Sequence, residues 1–343
     1  MRPAKLHWKP SSFHNPKMLS AFIAVSLIGP IQEPDPPRLS PAAAAYVGRW
    51  NLEVTLPNRT AFCWLEIEAS GYNTLVGRFV GTGGSARPIS SVEFKEAGIQ
   101  IQLPPQWERN PVTIQAKLET GKLAGTLAGL GRNDPTRPRP MSGTRAPELN
   151  RPEPKWSRPT PLFNRRNLDG WTTTPGDNKW TVQNGILHNE GDGANLLTKE
   201  KFDDFKLVAE FRYPQGSNSG LYLRGRYEIQ IEDSFGNPPS RHNAGAVYGF
   251  FEPSENAARR PGEWQRMEIT FVGRKVTVVY NGKPILRGLN IPGITGGALD
   301  NREAEPGPIL IQGDHGAIEF RKIEITRPAA KVLPILPGLR PTL

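Results

Sequence analysis

The sequence predicts an all-β protein made of two consecutive β domains, the larger, C-terminal one a two-sheet jelly roll. Three observations carry this. Apolar residues recur with a period of two in short runs, glycine and proline each number 35 among 343 residues, and no stretch keeps a helical period. Such a pattern encodes many short strands joined by tight turns.

The first segment, residues 1–31, has the form of an export leader. A basic stretch ending at Lys17 precedes an apolar core, Met18 to Ile28, with Gly29-Pro30 after it. That core is shorter than the roughly 20 residues needed to cross a bilayer, and no second stretch reaches that length. The expectation is a soluble, exported protein, periplasmic or extracellular, with no transmembrane segment. Residues 32–45, rich in Pro and Ala, read as a flexible spacer.

From 46 to 145 the pattern is that of a small β-barrel or sandwich. Cys63, Leu65 and Ile67 alternate with Trp64, Glu66 and Glu68; Ile99, Ile101 and Leu103 alternate with Gln100 and Gln102; Val112, Ile114, Ala116 and Leu118 repeat the period. Turn signals at Pro57-Asn58, Ser70-Gly71, Gly83-Gly84, Ala97-Gly98 and Thr120-Gly121 punctuate a meander. Between Arg132 and Pro161 eight prolines alternate with arginines and lysines. Proline removes a ladder donor, so no central strand is expected there, and residues 146–160 read as a semi-rigid linker.

Strands resume over 161–328, before a tail at 329–343. They are expected at Trp180–Gln183, Phe205–Tyr213, Gly220–Arg224, Tyr227–Asp233, Trp264–Val272, Lys275–Tyr280, Ile309–Gln312 and Ala317–Thr326, with hairpin turns at Gly273-Arg274 and Asn281-Gly282. Eight or more short strands in this span suit a jelly roll.

Lys and Arg exceed Asp and Glu by 43 to 33, but Arg2, Lys5, Lys9 and Lys17 lie in the leader and the remainder is spread out. No basic tract is interleaved with aromatics, which argues against a nucleic-acid partner. Cys63 is the only cysteine, so no internal disulfide can form, and its apolar neighbours predict a buried, inert thiol.

Strand alternation sorts the polar residues of the second domain by face. Glu228, Gln230 and Glu232 share one face while Ile229 and Ile231 face the core; Tyr222 and Arg224 oppose Leu221 and Leu223; Gln312 opposes Ile311, with Asp314 and His315 just beyond. One sheet face could thus carry an arginine, two glutamates and a glutamine, with Asp314 and His315 at its rim. Gly216-Ser217-Asn218-Ser219-Gly220 has asparagine where a nucleophile elbow needs its nucleophile, and no phosphate-loop or dinucleotide fingerprint occurs. A divalent metal could be held by Asp and carbonyl oxygens, but no spacing specifies one.

Seven segments then add up. Leu162 to Trp171, Asn218 to Arg224, Tyr227 to Asp233, Gly245 to Gly249, Gly262 to Gln265, Tyr280 to Gly282, and Gln312 to Gly316 with Phe320 to Ile323 follow in order. In that order they resemble the 3-keto-disaccharide hydrolase domain family over about half the chain. Where the family reads Trp-Asn and Arg-Asn-Ile this chain has Trp264-Gln265 and Arg321-Lys322-Ile323, positions with no assigned chemistry. Nothing comparable covers 46–145, which suggests only a lipocalin-like meander.

The resemblance implies a concanavalin A-like jelly roll acting on saccharides already oxidised at C3. A C3 ketone acidifies the C2 proton and places the C1 leaving group β to the carbonyl, so deprotonation, elimination and re-addition of water cleave the glycosidic bond. This needs a base, an acid and a partner for the enolate oxygen. Glu228 or His315 is expected as base or acid and Arg224, or a metal, at the enolate oxygen. Asn218, Gln230, Glu232, Gln312, Asp314 and Tyr248 would bind substrate. A separate oxidoreductase must supply the ketone. Glu228 and Glu232 lie about 13 Å apart along one strand, beyond the roughly 5–10 Å that paired carboxylates use for direct hydrolysis. The rival reading is a carbohydrate-binding module with Trp180, Tyr222 and Tyr248 stacking on sugars; a third is a purely structural role.

Overall fold

A computed structural model describes residues 38–95, 98–130 and 137–329. The expected leader, the start of the spacer and nearly all of the tail lie outside the described residues. From Arg38 onward the chain forms one compact unit.

The end of the expected flexible spacer is in fact docked. Leu39 N–H donates to the Tyr72 carbonyl at 2.7 Å, and Ser40 caps a short helix, α1 (Pro41–Ala44), whose Ala43 is buried. Nine strands follow: β1 (Gly48–Thr55), β2 (Thr60–Ser70), β3 (Thr74–Val80), β4 (Arg87–Ile89), β5 (Glu93–Lys95), β6 (Gly98–Leu103), β7 (Val112–Glu119), β8 (Lys122–Ala128) and β9 (Arg139–Arg145). They form one antiparallel sheet in the order β4-β3-β2-β1-β9-β8-β7-β6-β5. The meander is closed where its first strand meets its last, and its free edges are the neighbours β4 and β5. One apolar cluster, with Trp50, Leu52, Cys63, Leu65, Phe79, Ile101, Ile114 and Leu127 at its heart, fills the interior. Burial pushes the Cys63 thiol up to about 12, which leaves it inert.

One expectation fails here. β9 lies within the proline-rich stretch yet is a central strand between β1 and β8. Its Pro140 pairs with Thr126 on β8, whereas pairing with β1 begins at Met141, so the missing N–H falls at the strand's start and interrupts no two-sided ladder. The following residues lie pinned along the second domain. Leu149 is buried, Arg151 pairs with Asp203 and Asp204, and Ser157 N–H donates to Arg327 O at 2.9 Å.

The remaining strands are β10 (Thr160–Pro161), β11 (Trp171–Thr173), β12 (Trp180–Gln183), β13 (Ile186–Asn189), β14 (Leu196–Thr198), β15 (Phe205–Arg212), β16 (Asn218–Leu223), β17 (Tyr227–Glu232), β18 (Gln265–Val272), β19 (Lys275–Tyr280), β20 (Lys283–Asn290), β21 (Leu310–Ile311) and β22 (Ile318–Thr326). They build the two-sheet jelly roll. One sheet runs β12-β13-β22-β15-β18-β19-β20, with β10 alongside β22, and the other runs β11-β14-β21-β16-β17. Leu221, Ile229, Ile231 and Ile311 from the second sheet meet Leu207, Phe211, Ile269 and Phe320 from the first. Asn281 and Gly282 both have positive φ, 49° and 82°, as a tight turn between antiparallel strands needs.

The two β units share packing. Trp64, on the outer face of β2, belongs to the jelly-roll core and meets Phe250 edge-on at 5.3 Å. Asn51 donates to Asn301 O at 2.9 Å, and Gly297 N–H donates to Thr82 O at 3.1 Å. A side chain at Gly293 would overlap the Trp64 indole, so glycine there lets loop and ring touch.

Candidate active site

The outer face of the five-stranded sheet is polar in sequence and buried in the structure. Every residue of β16 after Asn218, and every residue of β17 before Glu232, is buried on whichever side it faces. Loops and the first β unit cover the face that alternation sets opposite the core. Polar side chains so placed need partners or a task.

Above this face opens a cleft of about 640 Å³, lined by Asn218, Tyr222, Glu228, Gln230, Tyr248, Gln312, Asp314 and His315 from the jelly roll. Seven of the nine residues expected at the site are therefore gathered there. The far wall belongs to the first β unit, through Thr82–Gly84, Trp107 and Glu108, with Gly296 and Gly297 between the two. Sequence patterns gave no sign of this wall beyond the Gly83-Gly84 turn.

Glu228 sits at the base of the cleft, paired across the strands with Tyr222. Gly220 makes its room, because a Cβ there would overlap the Glu228 carboxyl. Burial pushes the Glu228 pKa up to about 8, while the Tyr222 hydroxyl and His315 partly offset this. Tyr222 donates its one proton to the Gly296 carbonyl at 3.0 Å, so its oxygen is free to accept.

His315 stands half-exposed on the rim with Nδ1 2.9 Å from Asp314 Oδ1. The Asp314 hydrogen bond is the main cause raising the His315 pKa, and the same bond lowers that of Asp314. An ionised Asp314 keeps the proton on Nδ1 of the neutral ring and leaves Nε2 as the proton-accepting nitrogen. Gln230, 2 % exposed, donates to Asn218 Oδ1 at 3.3 Å, but its own Oε1 and that of Gln312 are buried without a hydrogen-bond partner. Buried acceptors lining a cleft match a ligand rich in hydroxyl donors.

Two expected site residues lie elsewhere. Arg224 is fully buried behind the sheet, bonded to Asp203 Oδ1 at 3.0 Å and the Gly273 carbonyl, with its guanidinium 5.0 Å from the Phe271 ring centroid. The cause is its left-handed backbone, φ 54°, which begins the turn into β17 and breaks the alternation that set Arg224 beside Tyr222. Glu232 stands at the far end of β17, opposite Asn218 and outside the cleft lining. Trp180, a candidate for sugar stacking, is buried in the core and donates to the Ala194 carbonyl at 2.8 Å. Among the described residues no three His, Cys, Asp or Glu side chains gather as a metal site, and His315 turns Nδ1 toward Asp314.

A model of the 3-keto-alpha-glucoside-1,2-lyase-like domain matches residues 158–326. A 3-keto-disaccharide hydrolase of Bacteroides thetaiotaomicron is 28 % identical over 88 residues, covering 22 % of this chain and 30 % of that protein's length. A solved structure from Parabacteroides distasonis, whose name assigns it provisionally to the glycosyl hydrolases, is 27 % identical and covers 53 % of this chain and 93 % of its own, at a TM-score of 0.44. The carbohydrate-binding module CBM66 of Bacillus subtilis is 12 % identical, covering 45 % of this chain and 93 % of its own at a TM-score of 0.32. The family match spans the jelly roll and includes every jelly-roll residue of the cleft, so residues 158–326 belong to the 3-keto-alpha-glucoside-1,2-lyase-like domain family.

Proposed function

We propose that the cleft cleaves the glycosidic bond of 3-keto-glycosides or 3-keto-disaccharides by C2 deprotonation and elimination. One observation carries this reading: a buried carboxyl that holds its proton to about pH 8 shares a cleft with an imidazole oriented by a carboxylate. Their environments divide the roles that the sequence left open. His315 Nε2 takes the C2 proton, and the electron pair moves into the C3 carbonyl as an enolate. The C1–O bond then breaks, and Glu228 gives its proton to the departing oxygen. Water adds at C1 and gives one proton to Glu228, while the proton on His315 returns to C2, which restores both groups. With Arg224 behind the sheet, the amides of Asn218 and Gln312 are the donors for the enolate oxygen. Gln230 and Tyr248 bind hydroxyls.

The substrate's ketone comes from a separate oxidoreductase, and the leader-like pattern of residues 1–31 supports action in the periplasm or outside the cell. No helix among the described residues is long and apolar enough to cross a membrane. The test is release from a 3-keto-glucoside with a nitrophenyl aglycone, beside the unoxidised glucoside and a parallel set with EDTA. Release from the keto substrate alone supports elimination. Glu228→Gln should lose about 10²–10⁴-fold on a 3-keto-disaccharide but far less on the nitrophenyl substrate, whose leaving group needs no acid. Binding of either glycoside without release would favour the carbohydrate-binding module, a reading that the aromatic wall of the cleft also suits.

A further inference from the structure

The loop of the first β unit that reaches the cleft carries Trp107, an indole that is 60 % exposed. An exposed tryptophan on a loose loop would mean little, but this loop is braced. Glu108 Oε2 accepts from the backbone N–H groups of Gln106 and Trp107 at 3.0 and 3.2 Å, and its carboxylate pairs with the buried Arg87. Arg87 also donates to the Pro104 carbonyl at 2.9 Å. The Gln106 side chain clamps Ser85, donating to its Oγ at 2.7 Å and accepting from its N–H at 3.2 Å. Gly84, with φ 78°, lies so close under the indole that a Cβ would come 2.5 Å from the ring. The Thr82 carbonyl is tied in turn to Gly297 N–H.

We propose that Trp107 is the stacking platform for the leaving-group sugar, so that the first β unit sets which aglycones are accepted. This deepens the function proposed above and rests on it. The glycosidic oxygen that takes the proton of the buried Glu228 must lie at the base of the cleft, and the hydroxyls of the oxidised ring are served by the buried Gln230 and Gln312 acceptors. The oxidised ring is then the inner one, and the aglycone points outward to the rim. There the jelly roll offers the polar pair Asp314 and His315, and the facing wall offers an indole face. Sugar rings carry apolar C–H faces that pack on aromatic planes.

The test compares wild type, Trp107→Ala and Trp107→Phe on methyl 3-keto-glucoside and on a 3-keto-disaccharide, with calorimetric binding of the unoxidised disaccharide and monosaccharide. Trp107→Ala should lower kcat/KM for the disaccharide about tenfold, mostly through KM, and leave the methyl glycoside within about twofold. Trp107→Phe should recover much of the loss. Equal losses on both substrates, or none on either, would overturn the assignment while wild-type turnover left the catalytic reading standing. Conversely, a wild type that turns over neither substrate, yet loses disaccharide affinity selectively on Trp107→Ala, would sink the chemistry and keep the platform.

Discussion

Replacing Glu228 with glutamine should make the protein more stable where it makes it inactive, and only in one range of pH. Burial lifts the Glu228 pKa from an ordinary 4.5 to about 8, so the folded state keeps a proton that the unfolded chain loses above pH 4.5. The folded state binds more protons between these values, and stability therefore falls as pH rises through them, then levels off above about pH 8. At 1.36 kcal/mol per pH unit the full effect is about 5 kcal/mol. Glutamine keeps the shape and the hydrogen-bonding capacity of the side chain without ever ionising. Urea unfolding at pH 5 and pH 8.5, followed by tryptophan fluorescence, reads the effect as a difference of differences that cancels the titrating groups not coupled to Glu228. Glu228→Gln should be near wild type at pH 5 and several kcal/mol more stable at pH 8.5. A variant equally destabilised at both pH values would refute the buried, protonated carboxyl and the acid role built on it.

The other expectations follow from the same geometry. The pH profile of kcat/KM should be bell-shaped, rising as His315 loses its proton and falling as Glu228 ionises near pH 8. Asp314→Asn removes the main cause holding the His315 pKa up and should move the ascending limb to lower pH; an unmoved limb would dissociate the pair. Arg224→Met should cost about 2 kcal/mol in denaturant unfolding, because it loses charged hydrogen bonds while Asp203 can still reach solvent. Its kcat per folded molecule should stay unchanged, and a selective loss of turnover would return Arg224 to the chemistry. Gly220→Ala should push the Glu228 carboxyl aside, lowering kcat at least tenfold with a stability cost of about 1–3 kcal/mol. Wild-type kcat in that variant would show the carboxyl position to be unimportant.

The period of two made most of the strands legible, because strand faces and burial share that period. The runs at Phe205, Lys275 and Tyr227 fold within a residue or two of expectation. The same period placed Glu228, Gln230 and Gln312 on one face. It misled at Arg224, where a single left-handed residue ended the strand, since alternation holds only while the backbone stays extended. Pro140 misled in the opposite way. Composition weighs a proline by its presence, whereas a sheet weighs only whether its missing N–H interrupts a ladder. The cleft's second wall was illegible because it is tertiary: Trp107 lies more than a hundred residues from Tyr222, and no local pattern encodes their approach.

The position of β22 bears on how the chain can be made. This last strand sits inside its sheet, paired with β13 and β15, whose residues precede it by more than a hundred positions. Until it emerges during synthesis, both neighbours present unpaired backbone edges, and the apolar residues it contributes, Phe320, Ile323 and Ile325, leave an open seam. Collapse of the sandwich must therefore wait until Thr326 has been made, and contacts of such long sequence separation form slowly. A chain cut before Ile318 should remain sticky and protease-sensitive, whereas the nine-stranded meander, complete by Arg145, has every strand it needs early.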